Sequence, residues 1–310
     1  MDVPDQKTTP EKSGLPPAAT RRDVNGLPVA TVIFVLAVCM IAAANLDAPA
    51  LWFSDNDDLL EATFCYQVMT SVNSLLHWNT YRLSTAYMHL ASCYSRLGRL
   101  TEAAHSSLQA RNVMASLPGD RTAALSVLDA QRADYLRKGK DYAGAEALLK
   151  KAVEQLAKAT INNPSAKAYT LSILLDTYMS QHKYADAEQI AQELVPVDDQ
   201  LELELNMPAY GGRERLVELY CKTDRRQKAE EAAKEGVNMG VLSHNALAEA
   251  EAHDSLGRAY LSSGGVASAA TEFDLAVKNL GRKYGQNDRK VATWRARYDQ
   301  MLLDKNPFPE

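Results

Sequence analysis

The most regular stretch of the chain is LGRAYLSSGGVASAATEFDLAV, from Leu256 to Val277. It places a small residue at Gly257, a tyrosine three residues later at Tyr260, and an alanine nine residues further on at Ala269. The same three positions return along the chain at spacings of 42, 42, 42 and 40 residues. Self-similarity at a nearly fixed period is the sequence signature of a repeat architecture.

Three sets of equivalent positions, which we call columns, recur at the same spacing in all five repeats. The first column reads Ala91, Ala133, Leu175, Val217 and Gly257; the second reads Tyr94, Leu136, Tyr178, Tyr220 and Tyr260; the third reads Ala103, Ala145, Ala187, Ala229 and Ala269. Small residues belong where two antiparallel helices cross closely, and larger side chains fill the hollow beside that contact. The columns therefore predict helical hairpins, none of which buries its apolar face alone.

These residue types and offsets resemble the tetratricopeptide repeat family. The resemblance implies an all-α, right-handed superhelical solenoid of about five helical hairpins plus capping helices. The usual repeat has about 34 residues, whereas the spacing here is mostly 42. In that respect the chain looks more like the long-repeat subclass seen in kinesin light chains.

Residues that stop helices or favour turns give the expected boundaries of the repeats. We predict a solenoid over residues 57–303, with repeats over 84–117, 126–159, 168–201, 210–243 and 250–283 and a closing cap over 288–303. Between repeats, helix-stopping residues occur at Pro118-Gly119, at Asn163-Pro164, from Pro196 to Pro208 and at Met239-Gly240. Within repeats, the tight turns are expected near Gly98, Gly139, His182, Thr223 and Gly264.

A helix near residues 57–76 is expected to cap the start of the solenoid. Its apolar positions include Leu60, Phe64 and Val68, which share one face of a helix. The closing cap presents Val291, Trp294 and Tyr298 on one side and charged residues on the other. A terminal helix of a solenoid packs one face and exposes the other to water, so both segments fit that role.

An apolar segment precedes the repeats. Residues 27–46 contain no charged residue, and ten of these twenty positions are Val, Ile, Leu or Phe. Twenty helical residues span about 30 Å, the thickness of a hydrocarbon core. We therefore predict a single transmembrane helix at 27–46, acting as a signal anchor, after a disordered tail at 1–26. Arg21 and Arg22 precede the segment and Asp47 follows it, which predicts a cytoplasmic N-terminus and extracytoplasmic repeats.

A cleaved signal peptide is the alternative interpretation of this segment. Small residues at Ala42-Ala43-Ala44 offer a cleavage site, and cleavage would leave a secreted or periplasmic protein. The apolar run is longer than the 7 to 15 residues usual for a signal core, which favours the anchor.

The sequence predicts no catalytic chemistry. It lacks a glycine-rich phosphate loop, an HExxH pair, a CxxC pair and a GxSxG elbow, so we expect no enzyme activity, cofactor or metal. The formal charge of −5, without a basic stripe, argues against nucleic-acid binding. The four cysteines show no paired spacing, although a disulfide between Cys65 and Cys93 stays an alternative.

The resemblance implies that the first helix of each hairpin lines a concave groove that binds peptides. The candidate peptide-binding residues on this face are Arg96, Gln131, Asp134, Lys138, Tyr169, Asp176, Arg215, Glu218, Asp254 and Arg258. The inner positions also include His89, Glu214 and Glu251. Asp134, Asp176 and Glu218 are 42 residues apart and share one register. Such an acidic ladder suits a basic or extended peptide, unless these acids simply accompany Arg137, Lys138 and Arg215 at an ordinary solvated surface.

The sequence therefore predicts a non-catalytic, membrane-anchored scaffold that binds a protein or peptide partner of unspecified identity. The alternatives are a structural or self-associating spacer of the cell envelope and a soluble secreted repeat protein. Nothing in the residue pattern identifies the partner.

Overall fold

The computed structural model describes residues 58–75, 81–205, 207, 209 and 211–308, all within one compact unit, Asp47–Glu310. Every regular element in these ranges is an α-helix, which confirms the all-α prediction. The predicted tail at 1–26 and membrane segment at 27–46 lie outside the described residues. Within the described ranges, no helix combines the length and the apolar character needed to cross a membrane.

The helices form an opening helix, five hairpins and a closing helix. The opening helix is α1, Leu59–Leu75, and the closing helix is α12, Arg289–Asp304. The hairpins pair α2 (Tyr81–Arg96) with α3 (Leu100–Ala115), α4 (Thr122–Lys138) with α5 (Tyr142–Ala157), α6 (Pro164–Ser180) with α7 (Tyr184–Leu203), α8 (Gly212–Lys222) with α9 (Arg226–Leu242), and α10 (Ala246–Ser262) with α11 (Val266–Tyr284). Each hairpin overlaps one predicted repeat range.

The repeated alanines form the centre of the packing. All five members of the third column, from Ala103 to Ala269, are fully buried. Successive helices pack against each other, and the first helices of neighbouring hairpins also pack, as α4 does on α6 and α8 on α10. One buried cluster accordingly extends from Ala130 in the second hairpin to Ala259 in the fifth. The core is continuous through these repeats, as stacking of dependent hairpins requires.

Where the two helices of the third and fifth hairpins cross, a large residue on one helix faces a small residue on the other. In the fifth hairpin, Gly257 lies against Phe273, and a Cβ at Gly257 would overlap the phenyl ring. The corresponding positions of the third hairpin hold Leu175 and Ala191, both fully buried, so the large residue is on the other helix. Close-packed interiors tolerate such exchanges when the total volume is kept.

Each hairpin turns through the same hydrogen-bonded motif. The residue after the turn donates its backbone N–H to the carbonyl of the second-column residue, as from Arg99 to Tyr94 at 2.8 Å and from Asp141 to Leu136 at 2.9 Å. The residue just before this donor adopts a left-handed conformation in all five hairpins: Gly98, Lys140, His182, Asp224 and Gly264. This is the Schellman arrangement that ends helices, and it normally selects glycine.

Two of the turns form where they were predicted but have no glycine in the left-handed position. The turns expected near Gly139 and Thr223 are present, and their left-handed residues are Lys140 and Asp224. The bond to the second-column carbonyl fixes the register of the turn, so the nearest glycine does not decide it. At these two positions, the repeat keeps the backbone conformation without the residue that adopts it most readily.

Two predicted helix breakers lie inside helices. Pro196 lies within α7, which continues to Leu203, and Gly240 lies within α9. Leu194 and Leu201 are fully buried on either side of Pro196, so tertiary packing outweighs the lost backbone hydrogen bond. At Gly240 the missing side chain lets α9 approach α10, because a Cβ there would be 2.9 Å from the Glu249 Cα.

The opening helix buries a different face from the predicted one. Leu60 is exposed, while Ala62, Tyr66 and Met69 are buried. Small Ala62 permits close approach to α2, and the Tyr66 ring stacks on His89 with the ring centroids 5.2 Å apart. The closing helix agrees with its prediction, since Val291 and Tyr298 are buried. Cys65, Cys93 and Cys221 form no disulfide bond, so the alternative of a Cys65–Cys93 disulfide is wrong.

Substitution of glycine for Lys140 should stabilise the protein. Lys140 has an exposed side chain and a left-handed backbone, φ 68°. We expect Lys140→Gly to raise the free energy of unfolding by about 0.5–1 kcal/mol, because relief of backbone strain exceeds the added flexibility of the unfolded chain. Urea denaturation measures this change. The matched variant Gly98→Ala, whose Cβ would meet nothing within 4 Å, should shift stability by about 1 kcal/mol in the opposite direction; equal shifts of one sign would contradict the assignment.

The volume exchange is tested by moving the third hairpin's arrangement into the fifth. Gly257→Leu alone overpacks the crossing and Phe273→Ala alone leaves a cavity, so each should destabilise the protein by about 2–4 kcal/mol. The double variant should recover at least about 1 kcal/mol relative to the sum of the two single changes. Thermal and urea denaturation of all four chains give the coupling energy. Strict additivity would show that the two positions do not share one volume.

Candidate functional site

A pocket of about 520 Å³ lies on the first helices of the fourth and fifth hairpins. We call it the inner pocket. It lies between α8 and α10 and extends to α6, the connection before α8 and the C-terminal segment. Its lining consists of Asp176, Ala209, Gly211, Glu214, Arg215, Val217, Glu218, Glu251, Asp254, Ser255, Arg258 and Phe308. Five carboxylates and two guanidinium groups therefore face one cavity.

Close packing of α7 on α8 sets the position of the inner pocket. The buried Asp198 carboxylate accepts the backbone N–H of Gly212 at 2.8 Å, which satisfies a donor at the start of α8. A Cβ at Gly212 would lie 2.8 Å from the Leu194 Cγ, so only glycine permits this approach. Arg213 adds a two-pronged ion pair to Asp199, with distances of 2.8 and 3.1 Å.

Ion pairs hold the cationic side chains of the inner pocket in place. Arg215 on α8 donates from Nε to Asp176 on α6 at 2.5 Å, and so links the third and fourth hairpins. Its Nη1 donates to the Gly211 carbonyl at 3.2 Å. On α10, the Arg258 Nε donates to both carboxylate oxygens of Asp254 at 3.0 Å. Both arginines are thus oriented before any ligand arrives.

Two carboxylates of the pocket lack such a partner. Among the described residues, no cation lies within ion-pair distance of Glu214 or Glu251, and the same holds for nearby Glu202 on α7. The Glu251 side chain is exposed, yet desolvation by the surrounding protein raises the pKa of its carboxyl to about 7, and repulsion from Glu214, Glu202 and Asp254 adds to the effect. Burial followed by repulsion from Glu214 likewise raises the pKa of Glu202 to about 7. The inner pocket therefore carries acidic charge that its own cations do not neutralise.

The structure brings half of the predicted peptide-binding residues together. Asp176, Arg215, Glu218, Asp254 and Arg258 all line the inner pocket. The other five lie outside its lining, on the first helices of earlier hairpins: Arg96 on α2, Gln131, Asp134 and Lys138 on α4, and Tyr169 on α6. The assignment of these ten residues to peptide binding stays a prediction.

Each member of the acidic ladder pairs with a cation of this chain, which agrees with the alternative that these acids accompany Arg137, Lys138 and Arg215. Asp134 pairs with Arg137 at 2.6 Å and with Lys138 at 2.7 Å. Asp176 pairs with Arg215, and Glu218 pairs with Lys222 at 2.6 Å. The surplus negative charge is on Glu214 and Glu251 instead. Spacing alone places acids in one register, but it does not show which cations reach them.

Sequence reasoning missed Phe308. The aromatic ring lines the inner pocket, yet it belongs to a short segment after the last helix and outside the repeat register. Its partners are on α8 and α10, at least fifty positions earlier in the chain. No local pattern signals a contact at that separation, so the sequence offered no sign of it.

Among known proteins, similarity to this chain was found in three-dimensional structure and not in sequence. No protein-family model matches the sequence, and no curated protein matches it. BtubC from P. vanneervenii matches in structure with a TM-score of 0.59 and 14% identity, over 74% of this chain and 94% of that one. A Podosopora anserina putative kinesin light chain with nearly identical TPR-like repeats matches at 0.53 and 18%, over 66% and 96%.

A third similar structure is aspartyl phosphate phosphatase F from Bacillus subtilis, with a TM-score of 0.57 and 13% identity, over 83% of this chain and 70% of that one. At such low identities these likenesses show the fold alone. Together with the five hairpins, they support a tetratricopeptide-type helical solenoid, whereas the long 42-residue subtype stays a prediction.

The charge of Glu251 should make the stability of the fold depend on pH. A carboxyl whose pKa rises from 4.5 to about 7 on folding binds its proton more tightly in the folded chain. The contribution of Glu251 to the free energy of unfolding therefore falls as the pH rises from about 4.5 to about 7. Glu251→Gln should be more stable than the unchanged chain at pH 8 by about 1 kcal/mol, a value reduced for solvent screening of this exposed side chain.

Urea midpoints at pH 4.5 and pH 8 test this difference. At pH 4.5 the advantage of Glu251→Gln should shrink toward zero. The control is Glu154→Gln on α5, which removes an exposed carboxylate outside the inner pocket and should show no pH-dependent difference. A Glu251→Gln effect of the same size at both pH values would contradict the raised pKa.

Proposed function

We propose that this chain is a non-catalytic scaffold whose inner pocket binds an extended, basic segment of a partner protein. The observation that carries the proposal is the pair of carboxylates, Glu214 and Glu251, which face a cavity of about 520 Å³. Among the described residues, neither carboxylate has a cation within ion-pair distance. A lysine or arginine from a partner relieves the repulsion between them by charge-assisted hydrogen bonds.

The oriented arginines support recognition of a peptide backbone. Asp176 fixes the direction of Arg215, and Arg258, held by Asp254, presents its Nη1 donor to a backbone carbonyl, which suits an extended chain. Repeat solenoids commonly use such concave surfaces for binding. Since the binding groups come from three hairpins, the site depends on the stacking of the repeats rather than on one hairpin.

We also propose that residues 27–46 anchor the scaffold in a membrane, with the N-terminus in the cytoplasm and the inner pocket on the extracytoplasmic side. The support is the uncharged, apolar character of that segment and the arginines before it. A cleaved leader would place the same pocket on a secreted or periplasmic protein.

A lysine peptide tests the proposed site directly. Fluorescence anisotropy of a labelled tetralysine peptide with the detergent-solubilised full chain should show saturable binding, and a tetraglutamate peptide should not bind. The double variant Glu214→Gln, Glu251→Gln should weaken tetralysine binding about tenfold or more, because charge-assisted hydrogen bonds are lost. Affinity should increase from pH 5.5 to pH 8, as Glu251 and Glu202 lose their protons with pKa values of about 7.

A matched control separates the pocket from the net charge. Glu154→Gln with Asp274→Asn removes the same charge from exposed positions on α5 and α11 and should leave tetralysine binding unchanged. Equal losses in both double variants, or no binding by any chain, would contradict the proposal. Oligomerisation that increases with concentration, without peptide binding, would instead support a structural spacer. Crosslinking from native membranes then identifies the partner.

A further inference from the structure

The chain reverses after its last helix and places its C-terminal segment in the inner pocket. α12 ends at Asp304, and Lys305 takes a left-handed conformation with φ 50°. The backbone N–H of Asn306 then donates to the Met301 carbonyl at 3.1 Å. The Asn306 side chain accepts the backbone N–H of Phe308 at 3.0 Å. Two consecutive turns therefore direct Pro307 and Phe308 back toward α10.

Contacts with two hairpins hold this segment. The Arg258 Nη1 on α10 donates to the Pro307 carbonyl at 3.4 Å. The Phe308 ring lies near two cations, with the Arg258 Cζ 5.6 Å and the Lys222 Nζ 5.8 Å from its centroid. Both distances fall within the range of cation–π attraction. The segment thus presents a carbonyl and an aromatic face to groups on α8 and α10.

The receiving groups are fixed by the repeats and not by the segment. Asp254 holds Arg258 at 3.0 Å, and Glu218 holds Lys222 at 2.6 Å. The closing helix has its own buried contacts through Val291, Tyr298 and Met301. Pro307 and Phe308 are not part of this buried core.

The contacts that hold Pro307 and Phe308 are weak enough for a ligand to replace them. The hydrogen bond to Pro307 is long, the two cations are near the outer limit for cation–π attraction, and Phe308 is only partly buried. The segment's own cation, Lys305, has an exposed side chain, and no ion pair among the described residues joins it to Glu214 or Glu251. A ligand that supplied both an aromatic ring and a nearby positive charge would satisfy more of the pocket than the chain's own segment does.

We propose that the inner pocket recognises a partner segment in which proline is followed by an aromatic residue and flanked by lysine or arginine, and that Pro307-Phe308 occupies the site until this segment displaces it. The inference rests on the proposed function and names the chemistry of the partner. Arg258 binds the backbone carbonyl, Lys222 and Arg258 flank the ring, and Glu214 and Glu251 bind the flanking cation.

The test uses the full chain and a labelled peptide made from its own C-terminus. The peptide carries residues 305–310 with Glu310→Lys, which adds a second cation after the ring to Lys305 before it. Fluorescence anisotropy should show binding about fivefold or more tighter to the Phe308→Ala chain than to the unchanged chain, because the internal competitor is removed. A second peptide that also carries Phe308→Ala should bind the Phe308→Ala chain about fivefold or more weakly than the first, because it keeps the cations but lacks the ring.

Variants of the receiving cations test the assigned contacts. In the Phe308→Ala background, Lys222→Gln and Arg258→Gln should each weaken peptide binding about fivefold or more. Lys222 is the safer change for folding because its side chain is exposed. The control is Arg297→Gln, since Arg297 lies 5.9 Å from the Trp294 ring and outside the pocket lining. It should leave binding unchanged.

The outcomes separate this inference from the proposed function. Equal peptide binding by the unchanged and Phe308→Ala chains, with tetralysine binding intact, would show that the segment is a structural clasp and would overturn the inference alone. Binding that is insensitive to both Lys222→Gln and Arg258→Gln would also overturn it. Loss of all binding, including that of tetralysine, would overturn the proposed function as well.

Discussion

The close approach of two helices within each hairpin is the constraint on which the rest of the structure depends. At the third-column alanines there is no room for a larger side chain, because all five are fully buried. The volume left beside that contact is filled from one helix or from the other, as Leu175 and Phe273 show. Once the approach is fixed, the remaining apolar surface of a hairpin is available only to its neighbours.

This stacking also builds the inner pocket. No single hairpin contains the site, since Asp176 is on α6, Arg215 on α8 and Arg258 on α10. The ion pair between Asp176 and Arg215 crosses from one hairpin to the next, so it positions a binding group as it joins the repeats. Its net contribution to stability is modest at this partly exposed location. Its structural role is to hold the Arg215 guanidinium group in a fixed direction.

The sequence predicted the hairpins because their physics is local and periodic. An alanine column, a tyrosine column and a constant spacing each report the same buried contact, so their agreement identified the fold. The errors arose where tertiary packing overrode a local preference. Pro196 is tolerated because Leu194 and Leu201 are buried around it, and the opening helix buries Tyr66 instead of Leu60.

The site was harder to predict than the fold. The register of Asp134, Asp176 and Glu218 was visible in the sequence, and so were the neighbouring cations that pair with the first two acids. The Lys222 partner of Glu218 was not predicted. The unneutralised pair Glu214 and Glu251 emerges only when α8 and α10 are packed side by side. Phe308 reaches the pocket through two irregular turns, which leave no periodic signal in the sequence.

Hydrogen exchange of the Ala187→Leu chain is the most direct measurement of the central claim. Ala187 is fully buried in the middle hairpin, where a larger side chain forces α6 and α7 apart. If the core is continuous, amide protection should fall in α6 and α7 and also in the adjoining helices α5 and α8. Loss of protection confined to α6 and α7, with the neighbouring hairpins unchanged, would show that the hairpins are stable independently and would contradict the account.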